Sequence, residues 1–319
     1  SGNLHCTVAR GAGIAVWGVA NLVDCTIYDN HGVGDDADTS RDGGAYGGGV
    51  YADTVVMDGC IVSGNSIVGG GAAGGGVFSV GGRGTALDTS TIRSSSITDN
   101  RIAGLFAYGA GDYTDGGGIC LSTRIHVENS TFARNQVEPP LLPPFQFDLL
   151  NIGYWRGGGL YMSNGYMQVQ SSTIVENQVF GRPRTTELQK PNMAGGIAAT
   201  IGNAHAVEDM IIGHSIIAGN TVHEIDGIGP GGYTIGSSYP HDVFTGSVFE
   251  FRSMGHNRIG VIDFSQILVP IGEPGWDSLS RKHYPQTNDE EGVLAGDVLG
   301  AATLSTFIKS AGTEADPFA

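Results

Sequence analysis

A short segment ending in asparagine recurs six times along this chain and constrains its fold more than any other feature. The copies are Cys25-Thr-Ile-Tyr-Asp-Asn30, Cys60-Ile-Val-Ser-Gly-Asn65, Ser95-Ser-Ile-Thr-Asp-Asn100, Ser130-Thr-Phe-Ala-Arg-Asn135, Ser172-Thr-Ile-Val-Glu-Asn177 and Ser215-Ile-Ile-Ala-Gly-Asn220. Successive asparagines are 35, 35, 35, 42 and 43 residues apart. A second signal lies between them: Gly47-Gly-Gly-Val50, Gly74-Gly-Gly-Val77, Gly116-Gly-Gly-Ile119, Gly157-Gly-Gly-Leu160 and Gly195-Gly-Ile197. Two motifs in fixed order over five units make a true repeat, and periods of roughly 20–50 residues mark stacked architectures.

The pattern converts directly into structure. Ile27, Val62, Ile97, Phe132, Ile174 and Ile217 stand three residues before each asparagine. Cys25, Cys60, Ser95, Ser130, Ser172 and Ser215 stand five before. Side chains two apart on a strand share a face, so both sets point inward. From Gly49 to Asn65 the pattern predicts three short strands, Val50-Tyr-Ala, Val55-Val-Met and Ile61-Val, with no competing helical period. Such units bury their apolar faces only against their neighbours, which predicts an all-β solenoid. Coils stacked about 4.8 Å apart would align the asparagines into a ladder. The glycine runs suit corners with positive φ.

Residues 1–222 are read as coils with loops inserted on one face, and 223–319 as the last coil or coils plus an irregular C-terminal cap. Within the second part, Gly231-Gly-Tyr-Thr-Ile235 and Val248-Phe-Glu-Phe251 are expected to make one more coil, and 294–308 a short helix. The opening Ser1-Gly2-Asn3 matches the tail of a repeat. The chain is therefore expected to start mid-array with an open strand edge, a template for head-to-tail self-association.

Composition narrows the class. There are 53 glycines in 319 residues without a three-residue period, which excludes collagen. Hydrophobic residues make up 40%, too many for a disordered chain. No apolar run is long enough for a transmembrane segment. Lys+Arg of 16 against Asp+Glu of 32 gives a net charge of −16, which excludes a general nucleic-acid partner and repels polyanions. The acidic, Gly/Ser/Thr/Asn-rich composition suits an extracellular protein.

The pairing of Gly-Gly-x-(Ile/Val/Leu) with Phe/Ile-x-x-Asn resembles the repeats of polymorphic outer-membrane proteins and other bacterial surface proteins, over about residues 10–220. Phe132-Ala-Arg-Asn135 fits that motif literally; the other copies carry Ile or Val in place of Phe. Ser253-Met-Gly-His-Asn257-Arg-Ile-Gly260 is similar to the end of secreted bacterial β-helix proteins that carry C-terminal anchoring domains. The resemblance implies a right-handed parallel β-helix, an extracellular or bacterial cell-surface location, and often adhesion. It supplies no catalytic residues. The fold also hosts polysaccharide lyases and hydrolases, so fold alone does not set function.

Between each asparagine and the next glycine run lies a segment of unequal length: 31–46, 66–73, 101–115, 136–156 and 178–194. Insertions at one repeat position emerge on one face of a solenoid. These segments hold Tyr108, Tyr113, Tyr154 and Trp155 together with Arg156, Arg182 and Arg184. Aromatic rings with scattered cations suit stacking on a glycan or contact with a surface protein. The alternative is that they fold down as a lid on the coils. Asp35, Asp36, Asp38 and Asp42 crowd the first segment. They could ligate Ca²⁺, act in glycoside cleavage, or form a solvated acidic loop. Neither EF-hand spacing nor a Gly-Gly-x-Gly-x-Asp repeat accompanies them. His31 beside them is a candidate base or an exposed turn histidine. The nine histidines include no zinc-hydrolase signature. Cys25 and Cys60 fall one coil apart at disulfide range, while serine at the later positions favours buried free thiols.

Two function classes remain. One is a noncatalytic extracellular β-helix protein, an adhesin, surface or filament component presenting loops. The other is a carbohydrate-active enzyme, a polysaccharide lyase or glycoside hydrolase, with a groove on the loop face. Convergence of two carboxylates, or a carboxylate and a Lys/Arg, within about 5–10 Å on an open groove separates them.

Overall fold

The computed structural model describes residues 9–34, 44–69, 71–81, 89–104, 113–122, 124–138, 154–163, 165–181, 192–199, 208–229, 232–245, 249–263 and 290–291. Among the described residues all regular structure is strand and none is helix. The strands form four curled sheets, numbered I to IV in the order each repeat visits them. Sheet I comprises Ala9–Arg10, Ala45–Tyr46, Ala72–Ala73, Tyr113–Asp115, Tyr154–Arg156 and Asn192–Met193. Sheet II follows the glycine run. Its first strands, Ile14–Val23 and Val50–Asp58, are continuous; Val77–Ser79 and Thr89–Arg93 then both pair with Val50–Asp58, and the sheet divides into two flanks. Sheet III holds the strand before each asparagine, Thr26–Tyr28 to Ile216–Ala218. Sheet IV holds the strand after it, His31–Val33 to Thr221–Gly229.

Strands pair in parallel with their counterparts one repeat on, so each repeat is one rung. Ile27, Val62, Ile97, Phe132, Ile174, Ile217 and Ile259 are register partners in series. The rung is richer than the sequence pattern predicts. The expected strands over Val50–Ala52 and Val55–Met57 are one strand. The unequal segments are not wholly loops: each opens on a sheet IV strand and closes on a sheet I strand. Strands of two to four residues are too short for alternation to announce them.

Burial explains the stacking. Along sheet II, Val77, Ile119 and Leu160 point into the stack, while Phe78, Cys120 and Tyr161 point away. The inward residues of sheets II and III form one continuous core. A second core between sheets IV and I contains Ile67, Ile102, Val137, Val179 and Trp155. Each fully buried aliphatic side chain contributes about 1.5–3 kcal/mol, and a rung obtains this only with neighbours above and below.

Two polar columns run through this interior. In the asparagine ladder, each Nδ2 donates to Oδ1 of the next rung at 2.8–3.0 Å, from Asn30 to Asn220. The same Nδ2 groups donate backward to the carbonyls of Ile27, Val62, Ile97, Phe132 and Ile174. In the serine column, Ser95, Ser130, Ser172 and Ser215 each donate to the carbonyl two residues earlier. Each accepts the backbone N–H of the rung before, at 3.1–3.2 Å. Buried polar groups cost little when paired in this way.

The glycine corner is sterically determined. Its first residue has φ of 67°, 70°, 73° and 62° at Gly47, Gly74, Gly116 and Gly157, and Ala194 fills the fifth copy at 40°. At the second position rungs approach so closely that a Cβ on Gly75 would lie 2.3 Å from the Gly117 carbonyl oxygen.

The array ends differently from its middle. Thr221–Gly229 turns back as the antiparallel strand Gly232–Pro240, covering the edge of sheet IV. The expected coil strand at Gly231–Ile235 is therefore part of a hairpin. Val243–Thr245, Phe249–Ser253 and Arg258–Ile259 continue sheets II and III for one more rung, with Phe249–Phe251 of the expected Val248–Phe251 segment in a strand, and Ile262–Asp263 and Glu290–Glu291 add a further strand to each. Here Asp242 takes the asparagine place and Asn257 the serine place. The helix expected over 294–308 lies outside the described residues. Among the described residues no helix is long and apolar enough to cross a membrane.

Candidate functional site

The glycine corner bends sheet I against sheet II, and the outward residues of both sheets meet over it. On sheet II these are Tyr51, Phe78, Cys120, Tyr161, Ala198 and Phe244, the second residue after each corner. All are buried although they point away from the core. Tyr46 from sheet I joins them: its ring centroid is 4.9 Å from that of Phe78, which stacks on Tyr51 at 5.7 Å. Tyr51 in turn meets the edge of Trp17 at 5.5 Å. The Arg10 guanidinium lies 5.1 Å from the Trp17 ring and 5.7 Å from the Tyr51 ring, in the range of cation–π attraction. Trp17 is 67% exposed, so this aromatic cluster opens to solvent at the rung of Ile14–Val23. Burial raises the Tyr46 hydroxyl pKa, with the Arg10 charge opposing, so the phenol stays protonated at neutral pH.

Further along the same face, Asp115 and Arg156 are register partners. Arg156 donates Nε to Oδ1 at 2.7 Å and Nη2 to Oδ2 at 2.6 Å, a bidentate pair. Its guanidinium carbon lies 4.4 Å from the Tyr161 ring centroid. Both partners are buried. Burial pushes the Asp115 carboxyl up and Arg156 pulls it back. Burial also opposes charge on Arg156, but Asp115 and Tyr161 outweigh it and hold the guanidinium protonated. The Cys120 thiol beside them is raised well above its ordinary value, by burial and then by Asp115.

Of the aromatic and basic residues singled out in the sequence, the structure describes the side chains of Trp155 and Arg156. Trp155 and Arg156 are neighbours on one strand and so face opposite ways: Trp155 enters the inner core, and Arg156 is committed to Asp115. Neither offers a free surface group. Tyr113 and Tyr154 are register partners on sheet I, but their side chains lie outside the described residues. Tyr108, Arg182, Arg184, Asp35, Asp36, Asp38 and Asp42 also lie outside them. His31 bonds Ser66 Oγ through Nδ1 at 2.6 Å. Among the described residues no three His, Cys, Asp or Glu side chains group to hold a metal ion. Cys25, Cys60 and Cys120 are free thiols.

Sequence reasoning missed Arg10, Trp17, Tyr51, Phe78, Asp115 and Tyr161. A signal for three of them exists: Tyr51, Phe78 and Tyr161, like Cys120, stand second after a glycine run. No protein-family profile, curated protein or solved structure matches this chain.

Proposed function

We propose that this chain is a right-handed parallel β-helix of the extracellular, bacterial-surface kind, and that it binds glycan through the outer face over its glycine corners without catalysing a reaction. One observation carries the reading: a cluster of aromatic rings, Tyr46, Tyr51 and Phe78, lies on the first rungs of that face and opens at Trp17, beside the Arg10 guanidinium. An exposed indole face stacks on the apolar side of a sugar ring, and a guanidinium donates to its hydroxyls. The Asp115–Arg156 pair supports a noncatalytic role, because the carboxylate's two oxygens are already bonded to one cation. A neutral glycan fits better than an acidic one, given the net charge of −16.

The test is a glycan-array screen followed by titration calorimetry on the best neutral hit. The wild-type chain should bind, and Trp17→Ala should weaken binding about tenfold or more. Equal binding by the two proteins, or release of reducing ends from the hit, would sink the reading.

A further inference from the structure

We propose that Cys25 and Cys60 are a modification site: a small aliphatic disulfide oxidises them to a cystine that clips the first rung to the second. The first argument is what the column requires. From Ser95 onward the hydroxyl at this position accepts a backbone N–H from the rung before, beginning with Cys60 N to Ser95 Oγ at 3.1 Å. A thiol is a poor acceptor, so serine serves the column better than cysteine. Cysteine nevertheless stands at the two positions that are adjacent to each other, and the following positions through Ser215 are serine.

The geometry fits a bridge. The flanking residues Thr26 and Ile61 are register partners, and Ile61 N donates to Cys25 O at 2.8 Å. Neighbouring strands lie about 4.7–4.9 Å apart, inside the Cα range of disulfides, roughly 4.4–6.8 Å. The Cys60 thiol already reaches into the first rung, donating to the Leu22 carbonyl at 3.3 Å. The location gives the bridge a use. Ile14, Val16, Leu22 and Cys25 in the first rung are only partly buried, while their partners Val50, Ala52, Met57 and Cys60 are fully buried. A partly buried rung gains most from a covalent tie to a fully buried one.

The chemistry balances by thiol–disulfide exchange. Cys25, the more exposed thiol, attacks one sulfur of the reagent as thiolate and expels one equivalent of reagent thiolate. Cys60 loses its proton to solvent and attacks Cys25 Sγ in the mixed disulfide, expelling the second equivalent. Two protein thiols are oxidised and one reagent disulfide is reduced to two thiols. Burial, which raises the Cys60 thiol, makes the second step the slower one.

The experiment treats the full chain with oxidised glutathione, alkylates the remaining thiols, and maps the peptides by mass. With alkylation carried out in denaturant, the expected result is a fall from four alkylated cysteines to two, a loss of about two mass units, one cross-linked peptide joining Cys25 to Cys60, and a higher melting midpoint. Cys60→Ser should instead stop as a glutathione adduct on Cys25. Full alkylation of both residues, a persistent adduct on Cys25 in the wild-type chain, or a bridge from Cys25 to another cysteine would overturn the proposal.

Discussion

Asn220 donates twice to a single oxygen of Asp242: its backbone N–H and its side-chain Nδ2 reach Oδ1 at 2.8 and 2.7 Å. The other carboxylate oxygen accepts Val261 N–H at 2.8 Å. An asparagine here could accept on one side only, whereas a carboxylate accepts on both. The ladder therefore ends on the residue type that can receive from either direction.

That carboxylate makes stability depend on pH. Burial pushes Asp242 from its ordinary 3.8 up to about 6, and the hydrogen bonds from Asn220 and Val261 only partly offset this. The folded-state pKa exceeds the unfolded one, so the fold favours the neutral acid. The contribution is fully present below about pH 4 and is lost as pH rises through about 6, a change on the order of 3 kcal/mol. Denaturation midpoints measured over that window should fall for the wild-type chain and fall less for Asp242→Asn. Equal slopes for the two proteins would deny Asp242 this role.

Asn135→Ala should cost about 3–6 kcal/mol. It strands the Asn100 backbone N–H and one of the two hydrogens of Asn100 Nδ2, which donate to Asn135 Oδ1 at 3.1 and 3.0 Å, while Nδ2 keeps its bond to Val62 O. It also removes the Asn135 donor from Ile97 O and Asn177 Oδ1. Each buried group left unpaired costs about 1–3 kcal/mol. Urea unfolding reads the loss directly, and a change below about 1 kcal/mol would mean water or a neighbour replaces the amide.

Phe132 is fully buried between Ile97 and Ile174. Its truncation to Ala should cost about 3–5 kcal/mol through lost transfer energy and the cavity left behind. The same urea series measures it, and Phe132→Leu should recover most of the difference.

Two glycines in the same rung should respond in opposite ways. A Cβ on Gly75 would lie 2.3 Å from Gly117 O and 2.9 Å from the Arg101 backbone, with no flexible atom to yield. Gly75→Ala should therefore accumulate as insoluble protein. A Cβ on Gly71 meets nothing within 4 Å and its φ is not positive, so Gly71→Ala should be neutral or slightly stabilising. Soluble yields and melting midpoints of the pair settle the point.

The interior was legible where one residue type repeats at one spacing. The Val62, Ile97 and Phe132 stack and the asparagine ladder follow from that spacing because every copy performs the same physical task. Legibility failed where letter and task part company. Asn257 has the ladder's residue type but lies in the serine column, and Asp242 lacks the type but holds the place, because the 221–240 hairpin intervenes. The outer face is only partly legible for a related reason. Trp155 and Arg156 are sequence neighbours in one segment of unequal length, and only the two-faced strand there shows that one points inward and the other onto Asp115.

The ladder's polarity also bears on how such a chain changes length. Every rung from Asn30 to Asn220 offers an acceptor to its predecessor and a donor to its successor. A gene segment encoding one rung could be duplicated or deleted there without creating a mismatched seam. Asp242 has no amide to hand onward, so duplicating its rung would set a carboxylate against an acceptor. Growth and shrinkage should thus be tolerated in the middle of the array and selected against at the rung of Asp242.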